Sequence, residues 1–172
     1  MQTTMPDHDS LLYAAVCRSP VGCLGIRLDA RGRPCAIDSL PDTTAAAPPR
    51  PGAAADVLHA LEAYFSDPAA ALPVLDLAPA GTVFQQRVWR ALQAIPCGAV
   101  LTYGELAAEL GSAPRAVGQA CRRNPVPVLV PCHRVVARSG IGGYAGATAG
   151  PRLAMKQWLL AHEGRQAERR SG

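Results

Sequence analysis

Between Thr82 and Arg123 the sequence carries three helix starts written in side-chain chemistry, and they constrain the C-terminal half more than any other feature. Thr82 and Gln85 have the spacing of a capping box, in which the threonine oxygen takes the N3 backbone N–H and the N3 glutamine returns the bond. The run they open, "TVFQQRVWRALQAI", puts Phe84, Val88, Leu92 and Ile95 on one apolar stripe at helical spacing. Pro96-Cys97-Gly98 stops it. Thr102 and Glu105 repeat the box at the head of "TYGELAAEL". After the turn Gly111-Ser112-Ala113, Pro114 stands where the first residue of another helix, "PRAVGQACRR", belongs. Two short helices joined by a glycine-containing turn predict a helix-turn-helix.

The N-terminal half has a different texture. "LLYAAVCRSPVGCLGIRLDARGRPCAIDSL" reads as two or three antiparallel strands with tight turns at Pro-Val-Gly and Arg-Gly-Arg-Pro. "PDTTAAAPPRPGAAA" is a Pro/Ala-rich loop without periodicity. Asp56 is the expected N-cap of the helix that follows, with Val57, Leu58, Leu61, Tyr64 and Phe65 on its apolar face. "PAAALPVLDLAPA" is a proline-punctuated crossing segment. The expected fold class is α+β, with an N-terminal domain over 1–80, a mainly helical domain over 81–164 and a disordered tail over 165–172.

Several function classes drop out. No apolar run approaches the roughly 20 residues of a spanning helix, and "MQTTMPDHDS" lacks the basic region and apolar core of a secretory signal. The expectation is a soluble, cytoplasmic, monomeric protein. Its six cysteines (Cys17, Cys23, Cys35, Cys97, Cys121 and Cys132) then read as reduced thiols. Cys17, Cys23, His8 and His59 form no defensible ligand pattern, so no metal is expected.

Charge is divided unevenly. Residues 1–80 hold five Arg against nine Asp+Glu, a balance of −4, while residues 81–172 hold twelve Lys+Arg against four Glu, a balance of +8. Such asymmetry points to a polyanionic partner for the C-terminal half, although an arginine-rich composition alone gives the same count. The second helix of the pair is unusual: Arg115 at its start, Arg122 and Arg123 at its end, and Ala116, Gly118 and Ala120 between. A glycine inside a helix costs about 1 kcal/mol against alanine. Close approach of a phosphate backbone would account for it, and so would packing of two helices through small residues.

"NPVPVLVPCHRVV" follows directly. A cysteine is a nucleophile only as a thiolate, and a neighbouring base makes the thiolate accessible. In a regular strand Cys132 and His133 would point to opposite faces; Pro131 argues for a break that brings them to one side. A histidine base also needs an orienting carboxylate, and this half offers Glu105, Glu109, Glu163 and Glu168. An adjacent Cys-His pair is, on its own, more often incidental than catalytic.

In order and approximate spacing, "FQQRVWRALQAIPCG", "TYGELA", "RAVGQA", "NPVPVLVPCHRVV", "GGYAG" and "KQWLLAHEG" resemble the O6-alkylguanine-DNA alkyltransferases, over about Gly81 to Gly164. The resemblance implies a ribonuclease-H-like N-terminal domain and a winged-helix-like C-terminal domain containing the helix-turn-helix. It implies a single-turnover protein, without cofactor, that flips a base out of double-stranded DNA. The alkyl group of O6-alkylguanine, with O4-alkylthymine as a further substrate class, passes to its own Cys132. On that resemblance His133 is the base acting through a water, Glu163 orients it, and Tyr103 assists departure of guanine. Arg115 is the arginine finger, and Ala116, Gly118, Ala120 and Arg122 belong to the DNA-binding helix. Asn124 is the hinge, and Val135, Tyr144, Ala145 and Gly146 belong to the hinge and pocket.

The chain departs from the family pattern in places. "GSAPR" is shorter than usual before the finger, and "ATAGPR" after "GGYAG" is longer, beside the pocket. Ala145 replaces a serine found in some members. Trp89 and Trp158 are expected in the core, and Cys121 as an inert thiol. Lys156 reads either as an exposed helix lysine or as a group reaching the active site or a phosphate. Arg134 reads either as a local hydrogen-bond donor or as a DNA contact.

Overall fold

The computed structural model describes residues 12–49, 51–70 and 75–170, with side chains described as far as 164. His8 and the last two residues of the expected tail lie outside the described residues. The chain divides into two compact units, one formed by residues up to Pro79 and the other from Ala80 onward, with Asp67–Ala70 counted in the second.

The first unit is a three-stranded antiparallel sheet, β1 (Ala15–Ser19), β2 (Gly22–Leu28) and β3 (Pro34–Leu40), in that order, with helix α1 (Ala53–Ser66) packed on it. Ser19 pairs with Gly22 across a two-residue turn at Pro20-Val21. The turn between β2 and β3 is closed by Asp29, whose carboxylate accepts the backbone N–H groups of Arg31 and Arg33 at 2.9 Å. Leu24, Ile26, Ile37, Val57, Leu61 and Tyr64 form the core. Helix α1 begins at Ala53, four residues before Val57, the first helical residue that an Asp56 N-cap predicts: Asp56 lies in its first turn, and its N–H bonds the Gly52 carbonyl. Alanine is the best helix former, so Ala53, Ala54 and Ala55 extend the helix backward until Gly52 ends it.

The second unit is mainly helical. Helix α2 (Val83–Ala94) and helix α3 (Tyr103–Glu109) both open on complete capping boxes, at Thr82/Gln85 and Thr102/Glu105. Helix α4 (Pro114–Arg122) starts with proline at its first turn and packs against α3. Trp89 donates its indole N–H to the Ala120 carbonyl at 2.9 Å, joining α2 to α4. Strand β4 (Leu101–Thr102) pairs in parallel with β5 (Val135–Val136). Helix α5 (Pro151–Arg170) closes the unit, around Val88, Leu92, Leu106, Val117 and Leu159.

Two further expectations differ. The backbone of 165–170 continues α5 where a disordered tail was expected; Gln166, Ala167, Glu168, Arg169 and Arg170 favour helix, and no proline interrupts them. Trp158 is half-buried and stacks on His162 with ring centroids 4.7 Å apart, whereas Trp89 is in the core. Among the described residues, no helix is long and apolar enough to cross a membrane, no group of three His, Cys, Asp or Glu side chains could hold a metal ion, and the six cysteines are free thiols.

Candidate active site

The segment from Asn124 to Pro131 is a series of turns, not a strand. Pro125, Pro127 and Pro131 have no N–H to give to a ladder, and the Asn124 side chain supplies the missing bonds. Its Oδ1 accepts the Val126 N–H at 3.0 Å and its Nδ2 donates to the Val130 carbonyl at 2.7 Å. The same Nδ2 lies 3.1 Å from Cys132 Sγ. One amide thus fixes the end of α4, the proline-rich turns and the thiol. Within the segment Val128 holds φ at 73°, a left-handed conformation that costs a β-branched residue energy.

Cys132, His133 and Arg134 then form a 3₁₀ turn. Successive side chains in such a turn are about a third of a rotation apart, so the pair does not split to opposite faces as in a strand. Cys132 lines a cleft, and His133 is fully buried. His133 Nε2 lies 2.8 Å from Glu163 Oε1. A carboxylate can only accept, so Nε2 carries the ring proton and Nδ1 is the basic nitrogen. Glu163 Oε2 also accepts the Gly98 N–H at 3.1 Å.

Protonation states follow from these surroundings. Burial raises the Cys132 pKa; hydrogen bonds from Asn124 and Tyr144 and the charge of Lys156 oppose it without cancelling it. The resting group is a thiol that needs a base. Burial lowers the His133 pKa, outweighing the hydrogen bond and charge of Glu163, so at neutral pH the ring is a neutral base. Burial alone would raise Glu163, but the hydrogen bonds and charges of His133 and Arg134 hold its carboxyl far below the usual range.

The cleft has a volume of about 210 Å³. Tyr103, Gly118 and Arg122 line one side of it with Cys132, and Tyr144, Ala145 and Gly146 belong to its loop wall. Tyr103 is half-buried with its hydroxyl 3.4 Å from the Gly143 carbonyl, and burial pushes its pKa up to about 12, so it keeps its proton. Tyr144 is buried beside the thiol. Tyr144 and Ala147 exchange two backbone hydrogen bonds of 2.8 Å across Ala145 (φ 48°) and Gly146 (φ 83°), the dihedral signs of a type I′ turn. At Gly146 a Cβ would fall 2.5 Å from Arg122 Nε, so glycine there permits the arginine to lie across the loop. The longer "ATAGPR" segment contributes Ala147 and Thr148 to the cleft before Pro151 opens α5.

Not every expected residue joins. Arg115 is exposed at the start of α4 and is absent from the cleft lining. Ala116 is half-buried. Ala120 faces the core at 2% exposure, with its carbonyl engaged by Trp89, and does not lie on the outward face with Arg115, Gln119 and Arg122. Helical spacing explains this, since Val117, Ala120 and Cys121 share the buried stripe. Val135 is buried in β5 and acts through its carbonyl. Burial also raises the pKa of Cys121, up to about 12, so this second thiol in the cleft is not ionised.

Four contributors went unassigned in the sequence. Lys156, fully buried, donates to the Val135 carbonyl at 2.6 Å and the Gly143 carbonyl at 3.0 Å, holding strand β5 to the cleft loop. Its Nζ lies 5.8 Å from the centre of the Tyr103 ring. Burial lowers its pKa. Arg134 turns inward to Glu163 and does not reach outward to a nucleic acid. Gln119 and Gly143 line the cleft. The sequence held a signal for Lys156 alone: a single lysine in an arginine-rich chain, on the apolar stripe of α5 with Met155 and Leu159.

Fold and site together define a class of protein: a helix-turn-helix whose second helix borders a cleft containing a buried cysteine, backed by a histidine–carboxylate pair. The family model for the DNA-binding domain of 6-O-methylguanine DNA methyltransferase matches residues 83–165. A methylated-DNA–protein-cysteine methyltransferase from Salmonella typhimurium is 51% identical over 104 residues, which is 59% of this chain and 58% of that protein. The crystal structure of the Mycobacterium tuberculosis O6-methylguanine methyltransferase superposes with a TM-score of 0.73 at 34% identity, over 88% of this chain and 92% of that one. That of M. tuberculosis OGT in complex with DNA gives 0.70 at 35% identity, with the same coverage. The chain belongs to the O6-methylguanine-DNA methyltransferase family, and its match spans 58% of the length of the Salmonella relative.

Proposed function

We propose that this protein repairs DNA by direct reversal, taking the alkyl group of O6-alkylguanine onto Cys132 irreversibly, once per molecule. The observation that carries the reading is the thiol itself: Cys132 Sγ lines a cleft bordered by α4, with Asn124 on the sulfur and a buried histidine–glutamate pair behind it. Double-stranded DNA is the partner. A purine O6 lies inside the base stack, so the base must be flipped out before a cleft of this kind can receive it. Arg115 at the start of α4 fills the gap in the duplex, and Ala116, Gly118, Gln119 and Arg122 meet the backbone on the outward face.

His133 Nδ1 takes the Cys132 proton through a water, and Glu163 holds the ring in the tautomer that allows it. Sulfur attacks the alkyl carbon opposite O6; the S–C bond forms as the C–O6 bond breaks, and O6 keeps the electron pair. Tyr103, still protonated, gives its proton to the departing guanine, which leaves neutral, and the proton that His133 took from Cys132 replaces the one Tyr103 gave up. Atoms and charge balance with no co-reactant, so the step calls for no cofactor. The thioether does not hydrolyse, and the protein is spent. O4-alkylthymine presents the same alkyl–oxygen bond and is a second substrate of the same chemistry.

The finer architecture belongs to the same reading. The sheet-and-helix unit over 1–80 is the ribonuclease-H-like domain, and 81–164 is the winged-helix-like alkyltransferase domain; the three antiparallel strands with one helix, and the β4–β5 pair beside α3 and α4, support this. The protein works in the cytoplasm as a monomer. Incubation with a duplex bearing O6-methylguanine, followed by intact mass, tests the assignment. One methyl gained on Cys132, saturating at one per protein and lost in Cys132→Ser, is expected. Binding without mass gain would make it a lesion-binding protein instead, and turnover of an ester or amide would make it a hydrolase.

A further inference from the structure

Arg134 follows the Cys-His pair in the same turn, yet alkyl transfer itself calls for no guanidinium there. Its side chain is 11% exposed. Nε lies 3.0 Å from Glu163 Oε2 and 3.2 Å from Oε1, Nη2 lies 2.9 Å from Oε1, and Nη1 donates to the Ile95 carbonyl at 2.6 Å. We propose that Arg134 is a positioning residue: as the standing counter-ion of Glu163, it leaves His133 neutral, with its proton on Nε2, and free to act as a base. The inference rests on the reading of Cys132 as the alkyl acceptor.

A buried carboxylate needs a cation. His133 and Arg134 both lie within hydrogen-bond distance of Glu163. Were the imidazole to supply the charge, the resting ring would hold two protons and could take none from the thiol. A guanidinium does not lose its proton, and its planar fork matches both carboxylate oxygens. The charge is therefore met by a group that cannot take part in proton transfer. The charged groups facing the ring are Glu163 and Lys156 from α5 and Arg134 from its own turn, with the Cys132 thiol adjacent. From the end of α2 and the turn after it come two uncharged backbone groups, the Ile95 carbonyl on Arg134 and the Gly98 N–H on Glu163. Those two contacts also fix the carboxylate in orientation, so that Oε1 stays on the imidazole.

The test measures methyl transfer against pH by intact mass, beside the His133 ring titration by NMR on unalkylated protein. Arg134→Gln is expected to lose about tenfold or more of the rate near pH 6.5 but less than about threefold near pH 9, where the ring is neutral in any case. Its ring titration moves to higher pH. Arg134→Lys retains a cation and is expected to keep most of the acid limb. An even loss at every pH with an unmoved ring titration, or an Arg134→Lys profile like that of Arg134→Gln, overturns the proposal. A third readout needs no substitution. In the wild type near pH 7 the ¹⁵N shifts of His133 are expected to show a neutral ring protonated on Nε2; a doubly protonated ring refutes the role of Arg134 even if the variants do not fold. Failure of the wild type to gain a methyl refutes Cys132 as the acceptor, while the ring titration still decides for or against Arg134.

Discussion

Gly118→Ala separates what helix α4 needs as part of a folded protein from what it needs against DNA. The glycine sits inside α4 and lines the cleft. A Cβ built on it would meet the Tyr103 ring carbons Cδ1 and Cε1, both at 3.9 Å, an ordinary van der Waals contact. Nothing in the free protein therefore requires glycine, and alanine at a helix interior is about 0.5–1 kcal/mol more favourable. At about 2–4 °C per kcal/mol for a chain of this size, the midpoint of thermal unfolding is expected to rise by about 1–4 °C. Against a flipped nucleotide the same methyl occupies space that the backbone or base must enter, and a displacement of about 1 Å at a reacting centre costs roughly a hundredfold in rate. The variant is thus expected to melt higher and to transfer methyl roughly 10- to 100-fold more slowly. Calorimetry and a mass-resolved time course on an O6-methylguanine duplex read the two arms. A lower melting point would show that the packing argument around Tyr103 is wrong. An unchanged transfer rate would show that α4 does not approach its substrate through this glycine.

Two further outcomes follow from the site. Ala145→Asn places Asn-Gly in a turn whose first central residue has φ 48°, and asparagine tolerates that conformation better than alanine; the urea midpoint is expected to rise by the equivalent of about 1 kcal/mol. Glu163 has its pKa depressed in the folded protein, so the stability it contributes is present above the unfolded carboxylate value of about 4.3 and is lost as pH falls from there toward the folded value. Urea midpoints taken between about pH 6 and pH 3 are expected to fall more steeply for the wild type than for Glu163→Gln, and parallel curves would contradict the assignment.

What the sequence made legible was written in neighbouring residues. Both capping boxes and the proline at the head of α4 are signals in which cause and effect lie within four positions, and each opens its helix where expected. The same local logic misplaced the start of α1, because three alanines carry no cap yet extend a helix cheaply. "NPVPVLV" was ambiguous for a different reason. Its apolar residues suit a strand, but Pro125 and Pro127 withdraw two N–H groups, and the bonds that replace the ladder come from the Asn124 side chain and from turns within the segment. Lys156 had only its place on the apolar stripe of α5 to mark it, Arg134 had no local signature, and neither showed its partners. Their partners lie 13 and 21 positions away for the lysine, and 29 and 39 for the arginine, and only the tertiary fold brings them into reach.

That burial bears on the charge argument itself. A count of basic residues treats every cation as available to a polyanion, yet Lys156 and Arg134 are both turned inward, where they bind carbonyls and Glu163. Had most of the arginines followed them, the excess in the C-terminal half would say nothing about DNA. They do not: Arg87, Arg90, Arg115, Arg122, Arg123, Arg138 and Arg152 are exposed, against Glu105 and Glu109 as the exposed acids between 81 and 164. The inward cations are largely offset by the inward carboxylate and the carbonyls they bind. The field outside the second unit is therefore set by arginines, three of which (Arg115, Arg122 and Arg123) stand at the two ends of the helix that borders the cleft. Composition alone could not separate an arginine-rich genome from an arginine-rich surface. Placement does, because Lys156 and Arg134 are spent inside the fold while the other described arginines of this unit, Arg122 in the cleft lining among them, are exposed.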